Sequence, residues 1–224
     1  MGITKENIII VGATGLIGLH VIETLLEHTH TLGTVYVPTR RPLPFTHTKL
    51  SPIINEDITQ FSGVSASIGL ICLGTTKKQA GSQHALYHVD HDLVLACARQ
   101  MQNMGVKRIG IVSSYGANPA SLSHYLRCKG EMERDIKQLA FDRVTFARPG
   151  PLLGKRASPR FDEMIVQKIL RIVHPIMRGP LINLRSIPAK YVAQYLVFNM
   201  LDENHADGIH IAHYSQMISM KPDC

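Results

Sequence analysis

The 224-residue chain has no tryptophan, few aromatic residues (6%) and four cysteines, at positions 72, 97, 128 and 224. None of the cysteines falls in a CxxC or Cys/His ligand spacing, which argues against a disulfide scaffold or a thiolate metal centre. Three of them sit inside apolar or helical patterns, where a free thiol behaves as a small hydrophobe. This usage fits a reducing compartment, and a cytoplasmic location is expected. Acidic residues are also in short supply, 17 against 24 lysines and arginines, for a net charge of +7. The basic clusters are short (Arg40-Arg41, Lys77-Lys78, Lys155-Arg156) and have no interleaved aromatics on which bases would stack. They suit a phosphorylated small molecule better than nucleic acid. No apolar run approaches the roughly 20 residues of a membrane-spanning helix. Lys5-Glu6-Asn7 and the glycines that follow do not resemble a secretory signal, so a soluble, unprocessed chain is expected. The 12 histidines, including "HVDH" at 88–91, lack a converging carboxylate or thiol pattern and read as scattered surface residues with no metal.

What the chain does contain is a recurring alternation. Apolar β-branched runs at 7–11, 34–37, 52–54, 68–73, 108–112, 143–147 and 208–212 are separated by segments of helical period, such as Ile17, Val21 and Leu25, or Met132, Ile136 and Leu139. Strands that are apolar throughout are buried on both faces. The expected fold is therefore α/β: a doubly wound, mostly parallel Rossmann-type sheet with helices on both sides. One domain over 1–224 is expected, with 150–224 contributing the substrate side. The segment 43–49 reads as a loop and "SMKPDC" as a frayed tail. "RFDEMIVQKILRIVHPIMRGPL" carries an apolar face that could line a pocket, cover the core or lie on a membrane, and its acidic residues disfavour the last.

The first strand runs into "GATGLIG", with Gly12, Gly15 and Gly18 ahead of a helix that begins near Leu16. Glycines in this setting let the backbone turn tightly and approach a pyrophosphate, whose charge then meets the positive end of the helix. An NAD-selective site places a carboxylate after the second strand for the ribose hydroxyls. This chain has "VPTRRP" there, and the guanidinium groups of Arg40 and Arg41 suit a 2′-phosphate, so NADP(H) is the expected cofactor. Asp57 stands where it could accept from the adenine amino group or cap a helix. Gly74 in "LGTT" would allow close backbone approach beneath the cofactor.

Tyr125 is the only one of seven tyrosines with a lysine four residues on. Such a pair shares a helix face, and here it follows the strand that ends in Ser113-Ser114, at the carboxyl edge where cofactors of open α/β sheets sit. A phenol beside a desolvated ammonium can transfer a proton, and a serine hydroxyl can polarise a carbonyl as hydride arrives.

With "GATGLIG", the serine pair, "YLRCK" and "ARPGPLLG", the chain resembles the short-chain dehydrogenase/reductase superfamily. "ICLGTTKKQAGS", "HVDHD", "YLRCKGEMERDI" and "FDRVTFARPGPLLGKR" are similar to its atypical members related to the Tat-interacting protein oxidoreductase. The resemblance implies Gly12, Thr14, Gly15, Leu16 and Ile17 at the pyrophosphate turn, Arg40 and Arg41 at the adenosine phosphate, and Leu73 and Gly74 under the ribose. It further implies Tyr125 and Lys129 at the nicotinamide ribose and reacting carbonyl, with Leu152 and Arg160 closing over the nicotinamide end. Of the two serines, Ser114 is favoured as the carbonyl donor. One departure is Asp90, where the family's asparagine helps hold a relay water; an aspartate either substitutes for it or weakens the relay.

Two functions compete. The first is an NADP(H)-dependent oxidoreductase acting on a small carbonyl or alcohol. The second is a non-catalytic NADP(H)-binding sensor that signals to a protein partner. The oligomeric state, monomer or homodimer, is open.

Overall fold

The computed structural model describes residues 5–27, 30, 32–154 and 179–219. Seven strands form one sheet: β1 (Glu6–Val11), β2 (Leu32–Thr39), β3 (Leu50–Ile54), β4 (Ile68–Ile71), β5 (Arg108–Val112), β6 (Arg143–Ala147) and β9 (Gly208–Ala212). Their spatial order is β3-β2-β1-β4-β5-β6-β9, and every neighbouring pair is parallel. The doubly wound sheet anticipated from the alternating pattern is the fold. Two-residue strands β7 (Leu152–Leu153) and β8 (Ile187–Pro188), too short for any sequence period, pair separately beside it.

Side-chain alternation along the strands divides the core between two faces. Ile8 and Ile10 of β1 face one cluster with Val35, Val37 and Leu70, while Ile9 and Val11 face another with Ile109, Ile111 and Phe146. Helix α1 (Leu16–Glu27) covers the first face through Ile17, Val21, Ile22 and Leu25, beside α6 (Ala189–Leu201) with Val192, Leu196 and Met200. On the second face lie α4 (Leu93–Asn103), with Val94, Ala98 and Met101, and α5 (His124–Ile136), with Met132 and Ile136. Short helices α2 (Lys77–Ala80) and α3 (Gln83–Tyr87) lead into α4, and α7 (Tyr214–Ile218) follows β9.

Two members of the basic excess are structural. Arg108 donates to the Met200 carbonyl at 2.9 Å and pairs with Glu6 at 2.5 Å. Arg143, buried, donates to the carbonyls of Asn199 (3.0 Å), Asp202 (2.8 Å) and His205. Together they satisfy the last carbonyls of α6 and place positive charge at its negative end. Both lie at the amino ends of their strands. The strand order reverses between β1 and β4, so a crevice opens at the opposite, carboxyl ends of those two strands.

Candidate active site

The turn after β1 forms one wall of the crevice. Gly12 has φ +83°, and a Cβ on it would lie 2.7 Å from the Cys72 carbonyl carbon, so the position needs glycine for both its conformation and its contact. The Gly15 amide closes the turn on the Gly12 carbonyl at 3.0 Å, and α1 begins one residue later. Thr14 and Gly15 are exposed, Leu16 is half-buried, and the Ile17 side chain is part of the core. An anion at this turn would therefore meet backbone and Thr14, with Ile17 contributing through its main chain. The residues present fit a dinucleotide's pyrophosphate, because among the described residues the atoms nearest a Cβ built at Gly12 or Gly15 are backbone atoms.

The opposite wall is Cys72, Leu73 and Gly74, which follow β4. Burial pushes the Cys72 thiol up to about 12, leaving it an inert neighbour. At the end of β2, Arg40 and Arg41 are exposed, and the Thr39 hydroxyl donates to the Arg41 carbonyl at 2.8 Å, shaping the corner that carries them. Asp57 opens a turn, not a helix. Its carboxylate accepts from the Thr59 amide (3.0 Å), the Thr59 hydroxyl (2.6 Å) and the Gln60 amide (3.0 Å), and the Thr59 bonds hold its pKa below the usual carboxylate value.

Between α3 and α4 the helix widens into a π-turn, His88–Asp92, a local irregularity often found at functional sites. The turn and its flank grip α5 through Asp90 and His91. Asp90 Oδ1 lies 2.7 Å from Lys129 Nζ, a short contact poorly directed for a hydrogen bond, and both side chains are almost fully buried. Asp90 Oδ2 accepts from the Thr75 amide at 2.8 Å. His91 bridges Asp92 (2.9 Å) and Asp135 of α5 (3.0 Å). It also stacks on Tyr87, with ring centroids 4.5 Å apart. Burial and a hydrogen bond with Glu131 of α5 push the Tyr87 phenol up to about 12. Burial, the largest influence on Lys129, would lower its pKa, but Asp90, with smaller contributions from Tyr125 and Cys128, outweighs it and the net displacement is upward. Lys129 also donates to the Val112 carbonyl at 3.4 Å, which puts it beneath the end of β5. Tyr125 is half-buried one turn above and close enough to influence Lys129 electrostatically.

The serine pair divides. Ser113 is buried and donates to Glu133 Oε1 at 2.5 Å, whereas Ser114 is half-buried and donates to its neighbour, the Tyr115 carbonyl, at 3.3 Å. Glu133 also receives Arg148 through Nε (2.9 Å) and Nη2 (2.5 Å). Tyr125, Lys129 and Glu133 thus follow one another at four-residue steps along α5. Neither Glu133 nor Arg148 is among the residues anticipated from sequence, although the repeated step was there to be extended. His213, after β9, lies against this pair; burial and Arg148 lower its pKa, partly opposed by Glu133.

Leu152 is half-buried at the start of the segment that leaves the sheet after β6. Gly154 presses on Leu16, so this segment crosses the glycine turn. Arg160, most of the apolar segment at 160–181, Lys155-Arg156 and most of the "SMKPDC" tail lie outside the described residues. Among the described residues, no group of His, Cys, Asp or Glu is arranged to hold a metal ion, and no helix is long and apolar enough to cross a membrane.

The crevice therefore joins a glycine turn to a buried lysine by a run of contacts: Gly12 against Cys72 and Leu73, Gly74 against Asp90, and Asp90 on Lys129. The HIM1 family model matches residues 21–176. The protein fmp52, mitochondrial, of Aspergillus fumigatus is 32% identical over 182 residues, covering 77% of this chain and 78% of the relative. FMP52, mitochondrial, of Saccharomyces cerevisiae is 36% identical over 160 residues, 69% of each chain. These names overturn the cytoplasmic expectation: reduced cysteines report on redox state, which does not single out the cytosol. Among solved structures, MoeE5 in complex with UDP-glucose and NAD aligns with a TM-score of 0.65 at 16% identity, over 95% of this chain and 80% of that one. Human epimerase family protein SDR39U1 with NADPH aligns with a TM-score of 0.63 at 16% identity, over 92% and 74%. At such identities the likeness is one of fold.

Proposed function

The chain belongs to the HIM1 family, and from that premise we propose that it is an NADP(H)-dependent oxidoreductase that interconverts a small carbonyl compound and its alcohol, in mitochondria as its FMP52 relatives are named. The observation that carries the reading is the contact path from the Gly12 turn through Asp90 to Lys129, which brings a phosphate cradle and a proton-transfer pair into one crevice. MoeE5 and SDR39U1, which share the fold, have NAD and NADPH in their complexes.

Gly12, Thr14, Gly15, Leu16 and Ile17 receive the pyrophosphate, largely through backbone N–H groups. Arg40 and Arg41, exposed at the β2 corner, pair with the 2′-phosphate, and Asp57, Leu73 and Gly74 border the adenosine. Bound there, the nicotinamide supplies or accepts the hydride. Tyr125 donates the proton to the carbonyl oxygen, with Lys129 holding the ribose side and keeping positive charge near the phenol. Ser114 polarises the carbonyl, since Ser113 is committed to Glu133. Residues 150–154 and 181–188 contribute the substrate side, with Leu152 over the nicotinamide end.

The test is a binding comparison. NADPH should bind the wild type more tightly than NADH. Removing one charged partner of a phosphate, by Arg40→Ala, should shrink that preference by roughly tenfold or more, from about 1.5 to 3 kcal/mol for a charge-assisted bond. Equal affinity of the wild type for the two cofactors sinks the NADP assignment.

A further inference from the structure

We propose that Asp90 sets the oxidation-state preference of the cofactor site by cancelling the charge of Lys129, so that the crevice takes the oxidised and reduced dinucleotides without electrostatic bias. The inference rests on the cofactor reading above and extends it to a residue that lies behind the reacting groups.

The geometry is that of a dedicated counter-ion. Asp90 and Lys129 have side-chain exposures of 1% and 2% and approach to 2.7 Å, in surroundings where solvent screens little. Three features fix the carboxylate: the Thr75 amide on Oδ2 at 2.8 Å, the π-turn that redirects the helix at this residue, and Gly74, whose open side leaves room for Oδ1. Besides Asp90, the ionisable groups that act on Lys129 are Tyr125 and Cys128 of its own helix, and the Val112 carbonyl faces it from β5. Burial pushes the Cys128 thiol up to about 12, so it is neutral. One turn further along α5, Glu133 and Arg148 neutralise each other. Among the described residues, the charge beneath the nicotinamide end is therefore decided by Asp90 and Lys129 together, and that pair sums to zero.

An oxidised nicotinamide carries one more positive charge than a reduced one. An unpaired ammonium below it would disfavour the oxidised form, and an unpaired carboxylate would favour it. At an effective dielectric near 20, a unit charge roughly 10 Å from another is worth about tenfold in an equilibrium constant. Asp90 is a positioning residue in this scheme: it acts through Lys129, not on the cofactor.

The experiment measures Kd for NADP+ and NADPH on the purified full chain by calorimetry, so no substrate is needed. Asp90→Asn keeps the acceptor for the Thr75 amide and removes the charge. At pH 6 the ratio Kd(NADP+)/Kd(NADPH) should rise about tenfold over the wild type. Lys129→Met, measured at pH 8, should lower the ratio by a similar factor. Each change equals a shift of about 30 mV in the bound cofactor's two-electron potential, in opposite directions. Loosened packing would weaken both forms alike and leave the ratio alone. An unchanged ratio in Asp90→Asn overturns the proposal. Should that variant not fold, Lys129→Met decides alone, and a ratio that fails to fall overturns the proposal equally. A wild type that binds neither form instead refutes the cofactor reading on which the proposal stands.

Discussion

Glu133 offers a direct measure of how far the crevice depends on buried charge. Its carboxylate, 1% exposed, receives Ser113 at 2.5 Å and Arg148 at 2.9 and 2.5 Å, with Lys137 4.0 Å away at the rim. Glu133→Ala removes all three bonds and strands the Arg148 guanidinium. Breaking a buried pair costs about 3–5 kcal/mol. The Arg148 side chain keeps 18% of its exposure, so water can rehydrate it and about 2–3 kcal/mol is a fairer figure. The unpartnered Ser113 hydroxyl adds about 1 kcal/mol. A loss of roughly 3–4 kcal/mol lowers the melting temperature of a chain this size by about 10 °C. Glu133→Gln keeps an acceptor for Ser113 and should lose about half as much. Arg148→Met should be at least as damaging as Glu133→Ala, because the group it abandons is the more deeply buried one. Circular-dichroism melts of the three variants and of the Glu133→Gln/Arg148→Met pair test this. A double variant no better than the sum of its singles, or a Glu133→Ala melt within about 2 °C of wild type, refutes the buried knot.

Lys129 yields a pH prediction with a definite sign. Its pKa lies above the ordinary lysine value, so the pair's contribution to stability is complete at neutral pH and is lost only as pH rises through that raised value. Asp90→Asn removes the largest of the effects that oppose burial and lowers the pKa of the amine in the fold, so the gap in melting temperature from wild type should be widest near pH 6 and narrow toward pH 10. A gap constant over that range contradicts the assignment. Gly130, next to Lys129, lies where a Cβ would overlap the backbone of Asn118 and Pro119. Gly130→Ala should push the loop that follows Ser114 off α5, costing about 1–3 kcal/mol by overpacking. Limited proteolysis reads this out, and unaltered protease resistance of that loop in the Gly130→Ala variant would count against the contact.

Legibility from sequence varied with the range of the interaction. The run Ile8-Ile9-Ile10-Val11 and the spacing of Ile17, Val21 and Leu25 report their own structure, because a strand buried on both faces and a helix buried on one stripe differ in period. Glycines at 12, 15 and 18 were readable because a turn's backbone demands are local. The strand expected at 68–73 ends at Ile71: the Cys72 amide makes a last bond to the Val11 carbonyl at 2.8 Å, and the Cys72–Leu73 peptide then packs on Gly12. The helix widens into a π-turn at "HVDHD", and nothing in the composition of that stretch announces it. The compartment was misjudged because thiol state is shared by several reducing compartments.

By itself, then, the sequence determined the parallel layered sheet, the glycine turn after the first strand and the placing of Tyr125 and Lys129 on one helix face, because each is a matter of residues within one or two elements. Only the tertiary structure decided that Glu133 binds Ser113 across 20 positions and that Lys129 meets its counter-ion in Asp90. Those pairings join elements that are neighbours only after the sheet has formed. Burial then makes each charge need a partner, and the partner is whichever residue the packing delivers.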